Sequence, residues 1–156
     1  MKPMDHSAQT DLDARYRTML ILWFALFMNI AIFFVFSLLM SQERSNNRDT
    51  APSILLPVVF TALGTLLVAL SFAVKGKLLK RSVETQDVQL VQKALVIACA
   101  MCEASALLGL IERFLGNGRE YYLLFLIAAL GTALHFPRRE HLVAATYKTS
   151  RGAASS

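Results

Sequence analysis

The sequence predicts an all-α, polytopic membrane protein with four transmembrane helices and both termini in the cytoplasm. Hydrophobic residues make up 55% of the 156 residues and charged residues only 17%, whereas soluble domains contain about 25% charged residues. Apart from Glu103, the charges are segregated into short blocks outside the long apolar runs. Most lysines and arginines also fall in segments that an even number of membrane crossings would bring to one side.

Four apolar segments predict the four helices. The first covers residues 18–40, and the second covers 53–74, with Pro57 in its first turn, where a missing N–H costs little. The third covers residues 90–111. The fourth covers 121–136 and, at ~1.5 Å per residue, reaches about 24 Å, which is a marginal length for a bilayer.

The basic residues orient these helices. Three lie in the N-terminal segment 1–17, five between residues 75 and 93, and four in the C-terminal segment 137–156, while the other two connections hold two each. Because cytoplasmic segments are enriched in lysine and arginine, both termini are predicted to be cytoplasmic, in a bacterial inner membrane. We therefore divide the chain into an N-terminal tail (1–17), a four-helix membrane domain (18–136) and a basic tail (137–156) with a disordered end.

One carboxylate interrupts the third apolar segment. Glu103 lies in the middle of the run 94–111, in which the other polar residue is Ser105. Ionisable groups near the bilayer midplane are rare and indicate function. No lysine or arginine lies in the run 94–111 or in the other three predicted spans. We expect the carboxyl group to be protonated, because desolvation disfavours the charged form, and to bond Asn29, Thr65 or Ser105. It is either a proton or cation site or an interhelical hydrogen bond that fixes packing.

Small residues predict which helix faces pack, because they allow helix backbones to approach closely in lipid. Helix two carries small residues at four-residue spacing, and those of helix three fall within an arc of roughly 120°. We expect helices two, three and four to pack closely and helix one to be more peripheral. The predicted packing residues are Thr61, Thr65, Ala69 and Ala73 in helix two, and Ala98, Cys102, Ser105 and Gly109 in helix three.

Other motifs argue against an enzyme or a metal protein. Cys99 and Cys102 have the C-x-x-C spacing but lie inside an apolar run, whereas redox pairs lie near water and zinc needs further ligands. We interpret both as packing residues and expect no catalytic residue, no metal and no cofactor. No basic stripe interleaved with aromatics indicates nucleic-acid binding. His135 and the basic residues after it are predicted to contact anionic lipid headgroups.

The third segment and the connection before it show a pattern of a polar stretch followed by an acid among small and apolar residues. A polar stretch, Glu84-Thr85-Gln86-Asp87, and Lys93 precede Glu103-Ala104-Ser105-Ala106-Leu107-Leu108-Gly109-Leu110-Ile111. Residues 75–115 resemble the polar loop and second helix of the c subunit (proteolipid) of rotary ATP synthases. The resemblance implies that Glu103 is an ion-binding carboxylate. Helix two differs from the family's glycine-rich first helix because it contains only Gly64, and the loop lacks the family's Arg-Gln-Pro sequence.

Two classes of function follow. The first is a non-enzymatic accessory or scaffold component that packs against itself, as a homo-oligomer, or against another protein in a larger membrane complex. The alternative is a proton- or cation-exchanging protein similar to the c subunit, with Glu103 as the carrier group.

Overall fold

The computed structural model describes residues 6–39, 55–115 and 121–146, and each element in these ranges is an α-helix. Three helices are long and apolar enough to cross a membrane, and α4 is a shorter apolar helix. The prediction of an all-helical protein, with apolar helices long enough to cross a membrane, is therefore confirmed for the described residues. The helices are α1 (His6–Leu39), α2 (Leu55–Thr85), α3 (Val88–Leu115), α4 (Tyr121–Leu134) and α5 (Arg139–Thr146).

The first two helices extend well beyond the predicted apolar segments. Residues 6–17, predicted as a separate tail, form the first turns of α1. The polar connection after residue 74 belongs mainly to α2, which continues to Thr85, and not to an extension of helix three. Both extensions consist largely of residues with good helix propensity, so a helix begun in the apolar segment continues into the polar one.

A tight turn joins α2 to α3. Gln86, the residue after the end of α2, adopts the left-handed conformation with φ 57°. The amide of Asp87 donates to the carbonyl of Ser82 at 3.1 Å. The Ser82 hydroxyl donates to the carbonyl of Asp87 at 2.7 Å. The Asp87 carboxylate then accepts from the amide of Gln89 at 2.8 Å and caps α3. These bonds make α2 and α3 an antiparallel helical hairpin.

The central element is α3, which contacts each of the other four helices. The close packing predicted among α2, α3 and α4 is confirmed. In the described ranges, α1 packs on α3, α4 and α5 and makes no close backbone approach to α2. It therefore lies on the other side of α3 from α2.

Two apolar clusters hold the helices together. One joins the beginning of α1 to the beginning of α3 and to α5, through Leu12, Met19, Val91, Leu95 and Leu142. The other joins the middle of α1 to α3 and α4 and includes Ile30, Ala106, Tyr121, Phe125 and Ala128.

The helix α5 was not predicted, because it is short and lies in the basic C-terminal segment. It forms where Leu142 and Ala145 are buried against the first cluster. The guanidinium of Arg139 also pairs with the carboxylate of Asp13 at 2.6 Å. The part of this segment that was predicted to be disordered, residues 149–156, lies outside the described residues.

Candidate functional site

The small residues that were predicted to pack form two sets. One set is buried inside the helix bundle, and the other lies on its surface. The inner set belongs to α3 and is buried: Ala98, Cys102, Ser105 and Gly109. On α2, Thr65, Ala69 and Ala73 are exposed and Thr61 is partly exposed. The prediction that this face of α2 packs inside the bundle is therefore wrong, because α2 turns the line of Gly64, Val68 and Ser71 inward instead.

Glycines allow α2, α3 and α4 to approach one another closely. A Cβ atom added at Gly64 would meet Leu124 of α4 and lie 2.7 Å from the Ser105 Oγ of α3. A Cβ added at Gly131 would lie 2.8 Å from a methyl of Val68 and 2.9 Å from the Cys102 sulfur. A side chain at either position would displace the neighbouring atoms. These two glycines therefore allow the three helices to lie at their present spacing.

Glu103 lies between α3 and α1 and is half-buried. Its carboxyl group forms a side-chain hydrogen bond with Asn29 in the middle of α1. The other carboxyl oxygen, Oε1, is buried and has no hydrogen-bond partner among the residues that the structure describes. The contact therefore joins the polar groups in the middle of α1 and α3, and it involves only one of the two carboxyl oxygens.

The other two predicted partners point elsewhere. The Thr65 hydroxyl is exposed and donates to the carbonyl of Thr61 in its own helix at 2.7 Å. Ser105 is fully buried against Gly64, on the α2 side of α3. Of the three predicted partners, Asn29 is the one that the structure joins to Glu103.

Both cysteines are reduced and buried. The Cys102 sulfur lies 3.8 Å from the Ser71 hydroxyl, and Cys99 belongs to the apolar cluster at the beginning of α3. Within residues 6–39, 55–115 and 121–146, no three histidine, cysteine or acidic side chains are grouped as they would need to be to hold a metal ion.

A second buried polar contact, between His135 and Ser71, has no signal in the sequence. His135 follows the last residue of α4 and is 0% exposed, so the prediction that it contacts lipid headgroups is wrong. Its Nε2 lies 2.7 Å from the Ser71 hydroxyl, which is itself 2.6 Å from the carbonyl of Val68. Since that carbonyl can only accept, Ser71 donates to it and accepts from Nε2–H of His135.

This arrangement has a consequence for the other ring nitrogen of His135. With the proton on Nε2, Nδ1 carries the lone pair, and it is buried without a hydrogen-bond partner in the described part of the chain. Ser71 and His135 are 64 positions apart on different helices. No local pattern in the sequence could have paired them.

The seam between α1 and α4 is closed at both ends and open between them. At one end, the Trp23 indole donates to the carbonyl of Thr132 at 2.8 Å. At the other end, the rings of Phe34 and Phe125 lie 5.4 Å apart. An apolar cavity of about 450 Å³ lies along this seam, and its lining includes Phe27, Ile30, Ala31, Tyr122 and Ala129.

Comparisons with known proteins add no family to this description: no protein-family model matches the chain, and neither a curated protein nor a solved structure shows significant similarity to it. The resemblance of residues 75–115 to the c subunit stays a prediction.

Proposed function

We propose that this chain is a non-enzymatic membrane protein of the bacterial inner membrane that assembles, through an exposed face of α2, with a second copy of itself or with another membrane protein. It crosses the bilayer four times and has both termini in the cytoplasm. The observation that carries the proposal is the outward orientation of the small-residue face of α2, while the corresponding face of α3 is used inside the bundle.

The packing of α4 supports a fourth crossing. Its 14 residues reach about 21 Å, less than the ~30 Å of a typical hydrocarbon core, so the support comes from the direction of α4 and not from its length. It runs antiparallel to α3, because the Arg113 guanidinium near the end of α3 lies 5.0 Å from the ring of Tyr121 at the start of α4. Past the end of α4, Leu142 packs with Val91 near the start of α3.

The contact between the beginning of α1 and α5 supports an even number of crossings. Asp13, before the apolar part of α1, pairs with Arg139 of α5. Leu12 and Leu142 share one cluster with Val91 of early α3. This end of the bundle also carries the segment 75–93, so nine of the ten lysines and arginines in the described residues lie there, and Arg113 lies at the other end. The positive-inside rule then favours the cytoplasm for this end.

The association face consists of Thr65, Ala69 and Ala73, with Thr61 at its edge. At 100° per residue, these four lie roughly 120° around α2 from the buried line of Gly64, Val68 and Ser71. A helix face that contacts only lipid does not need small residues, because large aliphatic side chains are equally compatible with lipid. Small residues at four-residue spacing instead allow a second helix to approach the backbone closely, which is how helices associate in a membrane.

The test replaces one small residue on this face by a larger one. Ala69→Leu should block the close approach, whereas Ala100→Leu makes the same change at an exposed position on α3 and should have no effect. Association between donor- and acceptor-labelled copies in liposomes would be measured by energy transfer as the protein is diluted in lipid. Proteins that co-purify from native membranes would be compared between the same two variants.

The expected result is that Ala69→Leu loses the self-association or a specific co-purified membrane protein, and that Ala100→Leu retains it. A wild-type protein that is monomeric in liposomes and co-purifies with no membrane protein would refute the proposal. Equal losses in the two variants would show that α2 does not provide the interface.

A second candidate function is proton or cation exchange at Glu103. The observation that favours it is the buried, unpartnered Oε1 of Glu103 among the described residues, next to the bond with Asn29. Such an oxygen is available to a proton or a cation that enters from the side of the bundle. The competing interpretation is that the Asn29–Glu103 bond only fixes α1 on α3.

Labelling by a hydrophobic carbodiimide and proton flux into liposomes distinguish the two roles of Glu103. Exchange predicts pH-dependent labelling of Glu103 and flux that is lost in Glu103→Gln but retained in Glu140→Gln, which removes an exposed acid of α5. Flux that survives Glu103→Gln, or no flux in the wild type, would refute the exchange function.

A further inference from the structure

Three basic side chains from three elements come together just past the end of α4. Lys75 lies on α2, Arg138 on the connection between α4 and α5, and His141 on α5. Lys75 and Arg138 are close enough to interact electrostatically, and His141 is close enough to interact with both. The three side chains therefore form one cluster, in which Lys75 and Arg138 supply the positive charge.

The backbone holds Lys75 in this cluster. Its ammonium group donates to the carbonyl of His135 at 3.2 Å, which uses one of its three N–H donors. In the described ranges, no ion pair joins Lys75 or Arg138 to an acidic side chain. Glu140 is the acidic group that acts on His141. The cluster thus has more positive than negative charge and still has donors for an anion.

The electrostatics of His141 agree with an anion site. Burial, and then the charges of Lys75 and Arg138, lower the pKa of His141, so that its ring is neutral near pH 7 when no anion is present. A bound anion would offset the two positive charges and favour the protonated ring.

Apolar surface borders the cluster on one side. Phe72 lies one helical turn before Lys75, is exposed, and has its ring centroid 4.3 Å from that of His135. Leu134, the last residue of α4, is 71% exposed. The cluster therefore lies where the apolar surface of a candidate membrane helix gives way to a polar end.

We propose that Lys75, Arg138 and His141 bind the phosphate group of an anionic phospholipid whose acyl chains lie along Phe72 and Leu134. Free phosphate would offer the same charged group to the cluster. The exposed apolar side chains directly beside it favour the lipid, because only a lipid covers them as well.

The test measures lipid binding to the full chain in detergent by native mass spectrometry. The probes are phosphatidylglycerol, phosphatidylcholine and inorganic phosphate. We expect retained phosphatidylglycerol, weaker retention of phosphatidylcholine, and no competition from inorganic phosphate. Lys75→Gln and Arg138→Gln should each weaken phosphatidylglycerol binding about fivefold, as expected for the loss of one basic group near an anionic headgroup.

Lys77→Gln is the matched control, because it removes the same charge from an exposed position on the same helix. It should leave binding unchanged. A loss in Lys77→Gln equal to that in Lys75→Gln would overturn the proposal, since the attraction would then be diffuse. Competition by inorganic phosphate, or equal binding of phosphatidylcholine, would overturn the assignment to an anionic lipid.

Arg138→Gln keeps the test decisive if Lys75→Gln fails to fold. The Arg138 side chain is exposed, so its replacement should leave the far-ultraviolet circular dichroism and the thermal melting unchanged. Undiminished binding in a folded Arg138→Gln variant would refute the site.

Discussion

Gly131 brings α4 into contact with both α2 and α3, and we expect its replacement by alanine to force these helices apart. The added Cβ would lie 2.8 Å from Val68 Cγ1 and 2.9 Å from Cys102 Sγ, which is closer than real Cβ atoms approach. Val68 is β-branched, so its methyl group moves only if the whole side chain rotates. Cys102 is fully buried, so the shift must come from the helices.

The size of this effect follows from two opposing terms. Overpacking costs ~1–3 kcal/mol, while the higher helix propensity of alanine contributes ~1 kcal/mol in the other direction. The expected net change is a loss of about 0–2 kcal/mol in the free energy of unfolding. Gly76→Ala in α2 provides the reference, because nothing lies within 4 Å of its added Cβ and only the propensity gain applies.

The difference between the two variants isolates the steric term, because the propensity gain is common to both. We expect Gly131→Ala to be ~1–3 kcal/mol less stable than Gly76→Ala. The measurement is unfolding of both purified variants by titration with sodium dodecyl sulfate in mixed micelles, followed by far-ultraviolet circular dichroism. If Gly131→Ala is as stable as Gly76→Ala, α4 does not pack against Val68 and Cys102 as described.

Three further predictions concern contacts at one end of the bundle. Trp23→Phe removes the indole bond to the carbonyl of Thr132 and should cost ~0.5–1.5 kcal/mol in the same titration; no loss would mean that α1 does not contact α4 there. Asp87→Ala removes the cap of α3 and should cost about 1 kcal/mol, whereas Asp87→Asn, which retains an acceptor, should cost much less. Asp13→Asn breaks a half-exposed ion pair with Arg139 and should cost ~0–1 kcal/mol; a loss unaffected by high salt would contradict this interpretation.

Hydropathy was sufficient to locate the apolar helices. The segments predicted at 53–74, 90–111 and 121–136 overlap α2, α3 and α4. Where these helices end depended on other contacts. Nothing in the apolar pattern showed that α2 would continue to Thr85, because the turn depends on bonds between Ser82 and Asp87. The helix α5 forms where Leu142 meets residues of α1 and α3 that are distant in the sequence.

The residues of the candidate site were predictable from the sequence only in part. Glu103 stood out because an acid in an apolar run is costly, and Asn29 was one of few polar groups at a comparable depth. Whether the association face of α2 lies inside the bundle or on its surface was not predictable. Small residues permit close packing on any face, and α2 uses Gly64 and Ser71 inside while Ala69 faces outward.

The sequence alone therefore determined the class of the protein, the course of its apolar helices and the acid at mid-helix, because each depends on the composition of one continuous segment. Only the tertiary structure decided which face of α2 is free, that Ser71 meets His135, and that Lys75, Arg138 and His141 come together. These contacts depend on the rotation and depth of one helix relative to another. Hydropathy carries no information about either, because lipid accepts many faces of an apolar helix equally well.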